Sequence, residues 1–295
     1  MTKPTLSFIG AGTLGTALSM ACATAEYRVL AIHSHKLEDA ARLANALPGA
    51  EAVANPSDVT RADIIFLTVP DDSIATVCES VAWPASSSVV HCSGALSLEP
   101  LQHAQEAGAS IGGLHPLQTF AAGVEHSGRL ANIAYALEAS SNELHEALQE
   151  LVEALGGRPQ WIKGSDKPLY HVSAAMASNY LVALLGDASK LWESFGLSRE
   201  GGLQSLLPLV RGTIDNLQGI GFPDALTGPI ARGDVDTVRI HLDALTASQP
   251  DIVPSYAAMG QRTVTLGLEK GTLTEDAARA ISELLDAATD PGNSR

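Results

Sequence analysis

Four polar side chains stand close together in the stretch SDKPLYHVSAAMASNYLVALL, which begins at Ser165: Lys167, His171, Ser178 and Asn179. The rest of that stretch is mostly Ala, Leu and Val. A cation, an imidazole, a hydroxyl and an amide in an apolar run have a use where a proton must move. At about 100° per residue, Lys167, His171 and Ser178 share one stripe of a helix, with Asn179 at its edge. Lys167 is a general acid if burial lowers its pKa, and His171 is a relay or the acid itself. Asn179 can hold an oxygen by hydrogen bond. The structural uses are also open: Lys167 snorkels at the helix start and Asn179 bonds backbone. Pro168 is tolerated only in a first turn, so the helix is expected to begin near Ser165 or Asp166.

A second constellation lies at the other end of the chain. FIGAGTLG carries Gly10, Gly12 and Gly15 in GxGxxG spacing, with Ala11, Thr13 and Leu14 between them. It follows an apolar strand and opens a helix. In that context the glycines make a tight turn, let backbone approach a pyrophosphate, and pack helix on strand. The helix start then offers unpaired N–H groups to the anion. A dinucleotide site is therefore expected. The second strand ends LAIHSHK, with Ser34, His35 and Lys36 where an NAD site usually has an acid. These three can receive a 2′-phosphate, so the expected cofactor is NADP(H). TVPDD ends the strongest strand. Val69 and Pro70 are expected against the cofactor, and Asp71 and Asp72 as caps of the next helix.

Two further strand ends point to the same edge. In HCSGALS, Ser93 and Gly94 sit beside the expected nicotinamide. Two readings stand there: small residues whose N–H groups hold a substrate carboxylate or carboxamide, or a plain strand-to-helix turn. In GLHPLQTF, His115 precedes Pro116 and so has extended backbone; it is a substrate contact or a satisfied loop histidine. His103, His126, His145 and His241 read as surface residues, and His91 as structural. Farther on, in ALTGPIARGD, Arg232 offers a planar fork suited to a carboxylate, unless it pairs with Asp234.

The elements that must position these residues are legible as an alternation of strands and helices up to about Lys163, then helices alone. The fold class is α/β: a doubly wound, mostly parallel Rossmann sheet in residues 1–163, then an all-α domain in 164–295. A net charge of −15 argues against nucleic-acid and anionic-membrane partners. Three cysteines without CxxC spacing suggest neither a disulfide framework nor a metal site. No metal is expected. Free thiols, no signal peptide and no long apolar run suit a cytoplasmic protein. Weakly charged, Ala-rich helix faces point to helix-on-helix burial and a partner subunit.

GAGTLG, TVPDD, HCSGALS, GLHPLQTF, the helix with Lys167, His171 and Asn179, and LTGPIARGD together resemble bacterial Rossmann-like proteins with a domain of unknown function 2520. These are distant relatives of β-hydroxyacid dehydrogenases, ketopantoate reductase, pyrroline-5-carboxylate reductase and prephenate dehydrogenase. The resemblance covers essentially the whole chain. It implies a helical domain of the 6-phosphogluconate dehydrogenase type and a homodimer formed through it. β-Hydroxyacid dehydrogenases carry a catalytic Lys with Asn four residues later. Lys167 matches the Lys, but position 171 is His, a departure from the 3-hydroxyacid pattern. The expected function is hydride transfer between NADP(H) and a small carbonyl acid. Two alternatives are an imine reductase of the pyrroline-5-carboxylate reductase type and a non-catalytic NADP(H)-binding sensor.

Overall fold

The computed structural model describes residues 3–121 and 127–290; His126 lies outside them. Contacts divide the chain into two compact units, residues 1–178 and 179–295. The division falls after the boundary that the sequence suggests at 163.

The first unit is built on one eight-stranded sheet. Its strands are β1 (Leu6–Ile9), β2 (Val29–His33), β3 (Glu51–Val53), β4 (Ile64–Leu67), β5 (Ser88–His91), β6 (Ser110–Pro116), β7 (Ala134–Ala139) and β8 (Arg158–Trp161). They lie in the order β3-β2-β1-β4-β5-β6-β7-β8. All neighbours are parallel except β6 and β7, which are antiparallel. The chain therefore switches direction across the sheet between β1 and β4, where doubly wound folds open a crevice at their carboxyl edge. The sequence reading finds every strand but β3, which at three residues leaves no periodic signal.

Helices α1 (Thr13–Thr24), α2 (Leu37–Asn45), α3 (Ile74–Glu79), α4 (Gln102–Glu106) and α5 (Asn142–Ala154) cover the sheet. Both faces are dry, which is why ADIIFLTVP is almost continuously apolar. Alternate residues go to opposite sides. Phe8, Phe66 and Val90 join Leu18, Leu114 and Leu148 in one core; Ile9, Ile65, Leu67 and Val89 join Ile74, Leu101 and Ile111 in the other. Phe8 and Phe66 stack across β1 and β4 with ring centroids 5.2 Å apart.

A continuous helix through residue 179 does not form. Instead α6 (Lys167–Ala177) ends at Ser178, whose φ of −111° and ψ of −70° leave the helical path, and α7 begins at Asn179. The stripe expected to carry Lys167, His171, Ser178 and Asn179 is therefore broken. The second unit comprises α7 (Asn179–Lys190), α8 (Arg199–Ile220), α9 (Val235–Ser248), α10 (Val253–Lys270) and α11 (Glu275–Thr289). Val238, Leu242, Leu245, Val264, Ile281 and Leu285 form the core of the last three. Among the described residues no helix is long and apolar enough to cross a membrane, and no group of three potential metal ligands occurs.

Candidate active site

The cradle begins where β1 ends. Gly10 has φ +118°, a conformation that side chains avoid. A Cβ there would lie 2.6 Å from the carbonyl oxygen of Thr68, and one on Gly15 would lie 2.1 Å from the carbonyl oxygen of Gly10. A Cβ on Gly12 would meet nothing within 4 Å. Two glycines thus let the turn and helix close on themselves, and the third leaves open backbone at the surface. The Thr68 hydroxyl pins the turn by donating to the Gly10 carbonyl at 2.7 Å. Ala11 is buried beneath it, while Thr13 is exposed and Leu14 half-buried at the start of α1. No side chain caps α1, and no acid occupies its first turn. These are features of an anion cradle at a helix N-terminus.

The other expected cofactor contacts reach the same edge. Ser34 is half-buried and His35 and Lys36 are exposed just past β2. Half-buried Val69 and exposed Pro70 follow β4.

Asp71 is not a helix cap. It accepts a 2.6 Å hydrogen bond from the Ser93 hydroxyl, and neither α3 nor the turn before it has a side-chain cap. Ser93 Oγ in turn accepts from the N–H groups of Ala95 and Leu96, at 3.2 and 3.1 Å. The two N–H groups that could have met a substrate carboxylate are therefore engaged, and the hydroxyl with them. The turn reading of Ser93 is the one this geometry supports. His91 is structural as expected: Nδ1 accepts from Ser93 N–H at 3.1 Å, and Nε2–H donates to the Ser97 carbonyl at 3.0 Å.

His115 occupies β6 beside these loops. Gly94 lies against its ring: a Cβ at 94 would fall 2.8 Å from Nε2. His115 Nδ1 is 2.8 Å from the Tyr170 hydroxyl. Burial pushes the Tyr170 phenol up to about 12, so it keeps its proton and can donate to Nδ1. With Tyr170 as the donor, His115 carries its own proton on Nε2. Burial, followed by the charges of His171 and Lys167, holds the imidazole down to about 4, with Asp71 opposing. It is neutral near pH 7. The ring of His171, exposed on α6, lies edge-on to it at 6.4 Å.

Lys167 is buried, which is the condition set for it as a general acid, and it does not snorkel. It is 0 % exposed, so the amine expected at the substrate is enclosed by protein. Nζ is 3.3 Å from Glu138 Oε2, and neither atom has a hydrogen bond of good geometry. Burial pulls the amine below the ordinary lysine range, and Glu138 pulls the other way. Nearer the surface are His115, Tyr170 and His171.

Asn179 and Arg232 belong to the second unit. Asn179 is exposed at the first position of α7. Arg232 is exposed, and it makes no salt bridge with Asp234 among the described residues. Asp234 instead caps α9, accepting from the N–H and hydroxyl of Thr237 at 3.0 and 2.7 Å.

Sequence reasoning missed Glu138 and Tyr170. The only signals for them were an acid at a strand end and a Tyr one helical turn after Lys167.

Two family models match the chain: a Rossmann-like domain over residues 2–116 and the domain of unknown function 2520 over residues 133–263. The chain is a Rossmann-like protein with a domain of unknown function 2520. The second match begins one residue before β7, so it takes in the strand that bears Glu138 as well as α6 and most of the helical unit. No curated protein matches the chain. Solved structures do. BF3122 of Bacteroides fragilis, named for an NADP oxidoreductase role, aligns at TM-score 0.68 and 23% identity over 95% of this chain and 98% of its own. The 1-pyrroline-5-carboxylate reductase of Streptococcus pyogenes aligns at 0.61 and 17%, over 97% and 98%. A reductive aminase from Aspergillus terreus, solved with NADPH and ethyl-5-oxohexanoate, aligns at 0.62 and 15%, over 97% and 94%. At these identities the likeness is one of fold.

Proposed function

We propose that this protein is an NADP(H)-dependent reductase of a small carbonyl acid. One observation carries the reading: an uncapped glycine cradle and a neutral, tyrosine-bonded histidine stand on the carboxyl edge of one sheet. The NADP-linked names of the B. fragilis and A. terreus proteins support it.

The open backbone at Gly12 and the uncapped start of α1 fit a pyrophosphate, and Ser34, His35 and Lys36 fit a 2′-phosphate. NADPH, when bound, supplies the hydride. The chain's own work concerns the oxygen that becomes negative. His115 Nε2–H donates to that oxygen from a neutral imidazole, which stabilises charge as it develops. Tyr170 fixes the tautomer by donating to Nδ1. His171, exposed to water, gives the proton that turns this oxygen into a hydroxyl and takes another from solvent. A carbonyl suits this edge better than an iminium, because Asp71 and Glu138 are already engaged by Ser93 and Lys167.

NADPH and NADH titrations followed by turnover of keto acids and cyclic imines test the reading. NADPH is expected to bind more tightly, and Lys36→Ala to weaken NADPH roughly tenfold with little effect on NADH. Tighter NADH binding would sink the phosphate argument. Tight NADPH binding with no turnover, and no effect of His171→Ala in the cell, favours a sensor instead.

We also propose a homodimer through the helical unit. Tyr180, Val182 and Leu184 on α7 and Leu209 and Ile214 on α8 are large, apolar and exposed, which a lone chain in water seldom tolerates. Light scattering is expected to give twice the 30.6 kDa chain mass; a monomer at micromolar concentration overturns this.

A further inference from the structure

The sheet has a slot where β6 passes β7. Gly113 and Glu138 are register partners in that antiparallel pair. A Cβ on residue 113 would lie 2.6 Å from Lys167 Nζ, so the missing side chain is what admits the amine. Glu138 grips the chain twice there. Oε2 faces the amine at 3.3 Å, and Oε1 accepts from the N–H of Gly164 at 3.1 Å, in the turn that leads into α6. The start of that turn, at Gly164, and the first residue of α6, at Lys167, are thereby both tied to β7. Tyr170 and His171 follow Lys167 by three and four residues, on the next turn. Their placement against His115 depends on where that first turn is held.

We infer that Glu138 is a positioning residue for this site, acting through Lys167: its carboxylate holds the amine in the slot at Gly113 and so sets Tyr170 against His115. This rests on the proposed function only in taking the His115 edge as the reactive one. The geometry has an electrostatic side. Lys167 is faced by Glu138 from β7, by His91 and Cys92 from β5 and the turn after it, by Asp71 from the loop after β4, and by His115 from β6. Glu138 is the carboxylate in direct contact with the amine, and Asp71 acts from farther away. An enclosed cation without its carboxylate is costly, so the amine should give up its proton more readily.

The test uses the full chain carrying [ε-13C]lysine and 15N-histidine, read by NMR across pH. Lys167→Met assigns the lysine signal and His115→Gln the imidazole. In the unsubstituted protein Lys167 should titrate below the other lysines, and His115 should show protonated Nε2 with a hydrogen-bonded Nδ1. Glu138→Gln can keep the contact with Gly164. It should lower the Lys167 midpoint by about one unit or more and displace the His115 Nδ1 signal. Should that variant fail to fold, Glu138→Gln with Lys167→Met leaves no unpaired charge; it should fold and show the displaced His115 signal. An unchanged Lys167 midpoint, or wild-type His115 signals in either variant, overturns the inference. NADPH titration of the same samples separates the two ideas: weak NADPH binding with displaced His115 signals defeats the proposed function and leaves the positioning role standing.

Discussion

Gly15→Ala is expected to weaken NADPH binding roughly 100-fold and to lower stability by about 2–3 kcal/mol. The reason is geometric. The new methyl would stand 2.1 Å from the Gly10 carbonyl oxygen and 2.6 Å from Thr68 Oγ1. The first is backbone and cannot rotate away. The second is a short hydroxyl already committed to the Gly10 carbonyl. Either α1 moves off the sheet or the turn at Gly10 opens, and both spoil the cradle. Gly12→Ala is the informative partner. Its methyl meets no protein atom within 4 Å, so stability should hold. If pyrophosphate approaches that bare backbone, NADPH affinity should still fall. Denaturant unfolding and NADPH titration of both variants read the two effects apart. Equal NADPH affinity in Gly12→Ala and wild type would place the cofactor elsewhere.

That pair of glycines shows what kind of feature a sequence makes legible by itself. GxGxxG works through residues adjacent in the chain, so its meaning needs no coordinates. The strands behind it are legible for a similar reason: burial on both faces writes an apolar run. Ser34, His35, Lys36, Val69, Pro70 and His115 reach the expected edge because each follows or ends a strand, and parallel strands all end on one side. The features that escape the sequence depend on partners far apart in the chain. Asp71 has the look of a helix cap because local rules reward that, yet Ser93 claims it through the side-by-side ends of β4 and β5. Glu138 has the look of an ordinary acid at a strand end. Only its register with Gly113 and the reach of Lys167 give it a task. The break at Ser178 has no glycine or proline to announce it. A Ser–Asn pair competes only weakly with the helical backbone. The angular argument that groups Asn179 with His171 requires an unbroken helix, and it falls with that break.

The stability of the protein is expected to fall by roughly 4 kcal/mol as pH drops from about 7 to about 3 through His91 alone. His91 is 0 % exposed, and both ring nitrogens are engaged while it is neutral. Nδ1 accepts from Ser93 N–H, so protonating it replaces an acceptor with a donor facing a donor. Burial, then the positive charge of Lys167, hold this imidazole down to about 3 from an ordinary 6.5. The unfolded chain therefore binds a proton near pH 6.5 that the folded chain refuses until near pH 3. Between these values the unfolded state carries more protons, so stability rises with pH and is lost on acidification. His115, held down to about 4, adds loss in the same direction over the upper part of that window. Carboxylates that are engaged in the folded state also lose their partners in acid, so the comparison must isolate the histidine. Denaturant unfolding at pH values stepped from neutral down to about 4 should show wild type losing stability more steeply than His91→Gln. Gln can keep a donor and an acceptor but takes up no proton. Parallel curves for the two proteins would mean that His91 charges in the folded state without penalty, which the enclosed cation beside it forbids.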